Sequence, residues 1–102
     1  MSEENTISRH VIVRGRVQGV GFRNFVEHHA LQRGLAGWVR NRRDGSVEAV
    51  FAGPERTVNG MIDDCRHGPL PAHVDTLDQR DATDDELNAR LPGELFSVLK
   101  TV

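Results

Sequence analysis

The sequence predicts an α+β fold: a ferredoxin-like two-layer sandwich in the order β-α-β-β-α-β, with an antiparallel sheet and both helices on one face. Three observations carry this. Short β-rich segments alternate with two segments whose apolar residues recur at helical spacing. Each helical segment has a single apolar stripe, which suits burial against one sheet face. At 102 residues the chain has the size of one domain, with no room for a second.

The first strand is expected over residues 10–14, where Val11 and Val13 share a face, and it ends at Gly15. A glycine-rich loop follows, with Gly15, Gly19 and Gly21. Residues 22–33 carry Phe22, Phe25, Val26 and Ala30 at helical spacing, and Gly34 is a suitable terminator. Residues 37–41 read as a second strand. Asp44-Gly45 is a hairpin signal, and residues 46–52 are the third strand, with Val47, Ala49 and Phe51 on one face. Gly53-Pro54-Glu55 supplies a permissive cap, a proline at the first helical position and an acid in the first turn. Val58, Met61, Ile62 and Cys65 then form a stripe, weakened by Gly60 and stopped by Gly68-Pro69. A weak fourth strand is expected over 73–79, with Val74 and Leu77. Residues 81–93 form an acidic connection with a helical turn at 86–91, and residues 95–102 are the last strand. Residues 9–102 make up the domain, behind a frayed polar tail of residues 1–8.

Apolar content of 37% and charged content of 27% fit a globular chain. No apolar run approaches the roughly 18 residues of a membrane span, and MSEENTISRH lacks the layout of a secretory signal. A single cysteine, Cys65, forms no internal disulfide, which favours the cytoplasm. The short chain without an obvious exposed apolar stretch leans toward a monomer. The net charge of −2 hides an asymmetry. Residues 9–43 hold eight arginines and one acid, whereas residues 44–102 hold five basic residues and twelve acids. Twelve of the thirteen basic residues are Arg, whose planar fork suits carboxylate and phosphate. Solvated surface arginine accounts for most of them; an anion site in the first half is the sharper reading.

The informative segment runs Val13-Arg14-Gly15-Arg16-Val17-Gln18-Gly19-Val20-Gly21-Phe22-Arg23. A strand leading through glycines into a helix N-terminus leaves backbone N–H groups unpaired at the positive end of the helix dipole, a natural anion cradle. The spacing G-x-x-x-G-x-G is not the G-x-G-x-x-G of dinucleotide sites, and no Gly-Lys-Ser/Thr ending marks a nucleotide P-loop. Spacing alone leaves two readings open, an ordinary glycine-rich turn and an anion site. Arg23 stands out, because a cation in the first helical turn costs about 0.3–1 kcal/mol against the dipole. An anion held there would offset that cost.

These residues resemble a known family. Gly15 to Arg23 is similar to the first signature of acylphosphatases, and Gly37-Trp38-Val39-Arg40-Asn41, followed by Asp44-Gly45-Ser46-Val47-Glu48, to the second. The resemblance runs from about His10 to Gly53 and more loosely through Gly68-Pro69 and Val74. It implies the fold reached above and hydrolysis of a small-molecule acyl phosphate to a carboxylate and inorganic phosphate. By motif position it implies that Arg23 binds the phosphoryl group and Asn41 positions the attacking water. It likewise implies that the loop Gly15, Arg16, Val17, Gln18, Gly19 and Val20 holds the phosphate beside Arg23. Two departures are visible. Asn24 stands where family members more often carry a larger or aromatic residue, and residues 81–94 are longer than the usual link to the last strand.

Such chemistry needs no cofactor. A carboxylate leaves readily, and phosphoryl transfer through a loose transition state rests on positioning and charge stabilisation. No metal site is expected either: His28 and His29 face different directions on a helix, and Cys65 and His67 are a poor ligand pair. Cys65 reads as a buried small hydrophobe, Trp38 as packing, and Asp84-Asp85-Glu86 as a solvated loop. The alternative is a binding module without turnover, either acylphosphatase-like or RNA-recognition-like. RNA-recognition sheets need exposed rings on the third strand. Ser46-Val47-Glu48-Ala49-Val50-Phe51-Ala52 offers one aromatic and an acid, so no nucleic-acid or membrane partner is expected.

Overall fold

The computed structural model describes residues 5–102. Its elements are β1 (Thr6–Arg16), α1 (Phe22–Gln32), β2 (Ala36–Asn41), β3 (Val47–Pro54), α2 (Glu55–Cys65), β4 (His73–Asp81), α3 (Asp84–Leu87) and β5 (Phe96–Val98). The five strands form one sheet in the order β4-β1-β3-β2-β5. The expected ferredoxin-like sandwich is present, with one correction to its sheet: β5 runs parallel to β2, so the sheet is mixed rather than antiparallel. The reason is topological. β5 reaches the far edge through a long connection from β4, and such a crossover brings a strand back in either sense, unlike a tight hairpin.

Phe22, Val26 and Ala30 of α1 and Val58, Met61, Ile62 and Cys65 of α2 share a core with Val11, Val13, Val39, Val47, Ala49 and Phe51 from one sheet face. Burying each large apolar side chain here stabilises the fold by about 1.5–3 kcal/mol. Cys65 is buried, and desolvation pushes its thiol up to about 12, so it behaves as the small hydrophobe expected. No helix among the described residues is long and apolar enough to cross a membrane.

β1 starts well before the expected His10. Thr6, Ile7 and Ser8 pair with Pro54, Gly53 and Ala52, and the Asn5 carbonyl accepts from the Glu55 N–H. Their half-exposed, polar sequence hides this pairing from an apolar-pattern reading. Residues 1–4 of the expected tail lie outside the described residues. At the other end β1 continues through Gly15 to Arg16, with a register shift against β4 between Arg14 and Gly15. At Gly15, φ is +131°, and a Cβ there would run into the His73 carbonyl and stand 2.8 Å from the Asp75 nitrogen. Only glycine permits this bulge.

The outer sheet face is covered over β2 and β3. Trp38 is 2% exposed and its indole N–H donates to the Glu86 carbonyl at 2.6 Å. The helical turn expected over 86–91 sits instead at Asp84–Leu87. Thr83 and Glu86 make a capping box, with Glu86 N–H donating to Thr83 Oγ1 at 3.1 Å and Thr83 N–H to Glu86 Oε1 at 2.9 Å. Glu86 is therefore not part of a solvated loop: its carboxylate also takes a fork from Arg80 at 2.9 and 2.6 Å. The final strand, expected over 95–102, is shorter, Phe96–Val98. Its three residues pair with Gly37, Trp38 and Val39 of β2, and the Ser97 hydroxyl, which accepts from the Leu91 N–H and donates to Glu94, fastens the preceding connection to it.

Candidate functional site

The charge asymmetry resolves into ion pairs between strands and between the two helices. Arg9 pairs with Asp81, Arg14 with Asp78 at 2.9 Å, and Arg33 with Asp64 at 2.7 Å; Arg40 and Arg42 both reach Glu48. Most of the basic half is thus neutralised by the acidic half. Arg16, Arg23 and Arg43 make no side-chain hydrogen bond or ion pair among the described residues. Of these three, Arg23 lies in a concavity.

That concavity, of about 230 Å³, is lined by Val17, Gln18, Gly19, Gly21, Phe22, Arg23, Asn24 and Asn41. It opens where β1 hands over to α1. Gly21 caps the helix in the left-handed conformation, φ 84° and ψ 19°, which an L side chain adopts only at a cost. No side chain caps α1, and its first turn holds no acid. The first intrahelical bond runs from Phe25 N–H to the Gly21 carbonyl at 3.0 Å. The preceding N–H groups therefore lack intrahelical acceptors at the positive end of the helix dipole. Phe22, 2% exposed, anchors this turn in the core against Gly68.

Asn41 enters the same cleft from the end of β2. Strand alternation sends Val39 and Asn41 toward the helices and Arg40 to the outer face. The turn beyond it is tightly tied: Arg42 N–H donates to the Ser46 carbonyl at 2.9 Å and Gly45 N–H to the Arg42 carbonyl at 3.0 Å. Asp44 Oδ1 accepts from the Ser46 hydroxyl at 2.6 Å and its N–H at 2.9 Å, which holds the Asp44 carboxyl below its ordinary range.

The structure thus brings together Arg23, Asn41, Val17, Gln18 and Gly19 of the expected site. Gly15 and Arg16 are strand residues paired with β4, and Val20 packs partly against the core, so these three do not line the cleft. The Gln18 side chain turns to the hairpin, donating to the carbonyls of Arg42 and Ser46. Reading the sequence missed Gly21, Phe22 and Asn24 as cleft residues. Their place in the first helical turn was the available signal. Among the described residues no cluster of three or more His, Cys, Asp or Glu is placed to hold a metal ion. The arrangement is suited to an oxyanion-rich ligand: uncapped N–H groups, an arginine fork and a neutral amide around one small volume.

Comparisons with known proteins point the same way. The sequence profile of the family described as Acylphosphatase matches residues 9–90. An acylphosphatase of Rhodopseudomonas palustris (strain BisB18) is 56% identical over 98 residues, covering 96% of this chain and 99% of the relative. One of Bradyrhizobium diazoefficiens is 59% identical over 92 residues, covering 90% of this chain and 93% of the relative. The crystal structure of acylphosphatase from Bacillus subtilis superposes with a TM-score of 0.78 at 37% identity, over 91% of this chain and 98% of that one.

Proposed function

The chain belongs to the acylphosphatase family and hydrolyses acyl phosphates, and from that premise we propose how its residues divide the work. Arg23 and the uncapped N–H groups of the loop and first turn of α1 hold the phosphoryl oxygens. Asn41 aims the water. The observation that carries this reading is that Arg23, without a side-chain partner among the described residues, shares one cleft with Asn41 and the α1 N-terminus.

In this reaction a bond forms between the water oxygen and phosphorus while the bond from phosphorus to the acyl oxygen breaks. The carboxylate departs as a stable anion, so no general acid is required. Asn41 cannot take a proton, but its amide oxygen can accept a hydrogen bond and orient the nucleophile. The water's proton passes to a phosphoryl oxygen. Charge on the equatorial oxygens meets donors already in place, which is where such catalysis gains most. The residues suffice without a metal.

The binding-module alternative has less support. On the outer face, where RNA-recognition sheets stack bases, α3 covers the β2 and β3 region, and Trp38 is buried beneath it. A single cysteine, with no internal disulfide possible, supports a cytoplasmic location, and the short chain supports a monomer. Benzoyl phosphate hydrolysis in the presence of EDTA tests the proposal. We expect turnover unaffected by the chelator; no rate above buffer overturns the enzyme reading, and loss with EDTA overturns metal independence.

A further inference from the structure

Glu48 lies on the sheet face opposite the cleft and is 5% exposed. Its Oε1 accepts from Arg40 Nε at 2.7 Å and from an Arg42 guanidinium nitrogen at 3.2 Å. Its Oε2 is 2.6 Å from Nε2 of His10, which is also 5% exposed. Burial works against ionisation, but hydrogen bonds from His10 and Arg40, with the arginine charge, hold the carboxyl below its ordinary range. An ionised carboxylate only accepts, so the proton between the two groups belongs to His10 Nε2.

Arg40 and Arg42 stand on either side of Asn41. Glu48 therefore grips, from the outer face, both neighbours of the residue that faces the cleft. Asn41 pairs with Val47 of β3 on one side, but on the β5 side it is held only lightly. The ladder between β2 and β5 stops at Val39 opposite Val98, and past it the Asn41 carbonyl receives only a 3.3 Å bond from the Val102 N–H. Stability alone does not call for a carboxylate here, because exchanging a buried ion pair for packed apolar side chains is often neutral or stabilising.

We propose that Glu48 is a positioning residue for the hydrolysis: by holding Arg40 and Arg42 on the outer face, it fixes the Asn41 amide against the cleft at the α1 N-terminus. The proposal rests on the reading of Asn41 as the group that aims the water. Arg23 and the helix N-terminus sit on other elements, so loss of Glu48 acts on turnover and spares phosphate binding.

The test uses the full chain with benzoyl phosphate as substrate and inorganic phosphate as competitive inhibitor. Glu48→Leu is expected to lower kcat by about ten- to a hundredfold, the scale of a small misplacement of a catalytic group. KM and the phosphate inhibition constant stay within about twofold, as they do when only transition-state positioning is lost. Glu48→Gln, which still accepts from both arginines, recovers most of the rate. Arg42→Met removes one arm of the grip at a half-exposed side chain and serves if Glu48→Leu does not fold; it lowers kcat in the same sense. In an Asn41→Ala background both substitutions lose their effect on kcat. Unchanged kcat in folded Glu48→Leu or Arg42→Met overturns the proposal, as does a kcat loss that persists undiminished without the Asn41 amide. A parallel rise in KM and in the phosphate inhibition constant overturns it too. Full activity in Asn41→Ala alone overturns the reading of Asn41 itself and takes the proposal with it.

Discussion

The side-chain amide of Gln18 donates to the Arg42 carbonyl at 2.7 Å and to the Ser46 carbonyl at 2.8 Å, tying the anion loop to the turn that follows Asn41. Loop and turn are 24 and 28 residues apart in sequence, so this amide is their shared reference point. Both carbonyls keep a second donor within the hairpin. Gln18→Leu should therefore cost only about 1–2 kcal/mol of stability. Its effect on kcat should be larger in proportion, about tenfold, because two halves of a catalytic geometry drift apart. Urea midpoints alongside benzoyl phosphate kinetics check both; a wild-type kcat would mean that the loop and Asn41 are positioned independently.

Arg23 and Asn41 should separate in kinetics. Arg23→Ala removes charge stabilisation and is expected to lower kcat/KM by about 10²–10³-fold while weakening inhibition by inorganic phosphate. Arg23→Lys should restore only part of this, since an ammonium lacks the planar fork. Asn41→Ala should lower kcat and leave phosphate inhibition near wild type. Equal loss of phosphate affinity in both variants would contradict this division of roles.

Acid should loosen the outer-face cover. The Arg80 fork, together with the Thr83 N–H, depresses the Glu86 carboxyl from an ordinary value of 4.5 to about 2. A carboxyl whose folded-state pKa is depressed contributes stability that is complete above its unfolded value and is lost as pH falls through its folded one. The contribution of Glu86 should thus fade between about pH 4.5 and pH 2. Glu86→Gln should be less stable than wild type at neutral pH, and the two should converge near pH 2. Urea midpoints measured across this range decide it, with a constant gap as the contrary result.

Two glycine substitutions should move stability in opposite directions. Gly15→Ala forces a side chain into φ +131° against the His73 carbonyl, where the backbone strain alone is worth about 1–3 kcal/mol. Gly60 lies inside α2 with open space where a Cβ would go. Gly60→Ala should stabilise by about 1 kcal/mol, raising the thermal midpoint by about 4–8 °C in a domain of this size. Thermal unfolding monitored by far-UV circular dichroism checks both.

Local signals in the sequence were read well. The glycine-rich handover into α1 and the Asp44-Gly45 turn both depend on neighbours a few residues away. What escaped depends on distant partners. The direction of β5 is set by a crossover, not by its own residues. Glu48 alternates with Val47 and Ala49 and so reads as a solvated outer-face residue. It is buried because His10, Arg40 and Arg42 converge on it. Gln18 was expected to contribute its backbone; its side chain found two carbonyls that no local pattern announces. Gly15 belonged to the motif, but its constraint comes from β4 rather than from a ligand.

The indole that donates to Glu86 is also the chain's one tryptophan. Its emission therefore reports from a single known place, beneath α3 and with the Arg40 guanidinium 4.7 Å above its ring. Undocking of residues 82–94 would wet that ring and shift its spectrum to the red, even while the helices and the core strands stay folded. The protein thus carries a built-in optical probe of one surface layer, able to distinguish peeling of the acidic flap from collapse of the whole domain without any introduced label.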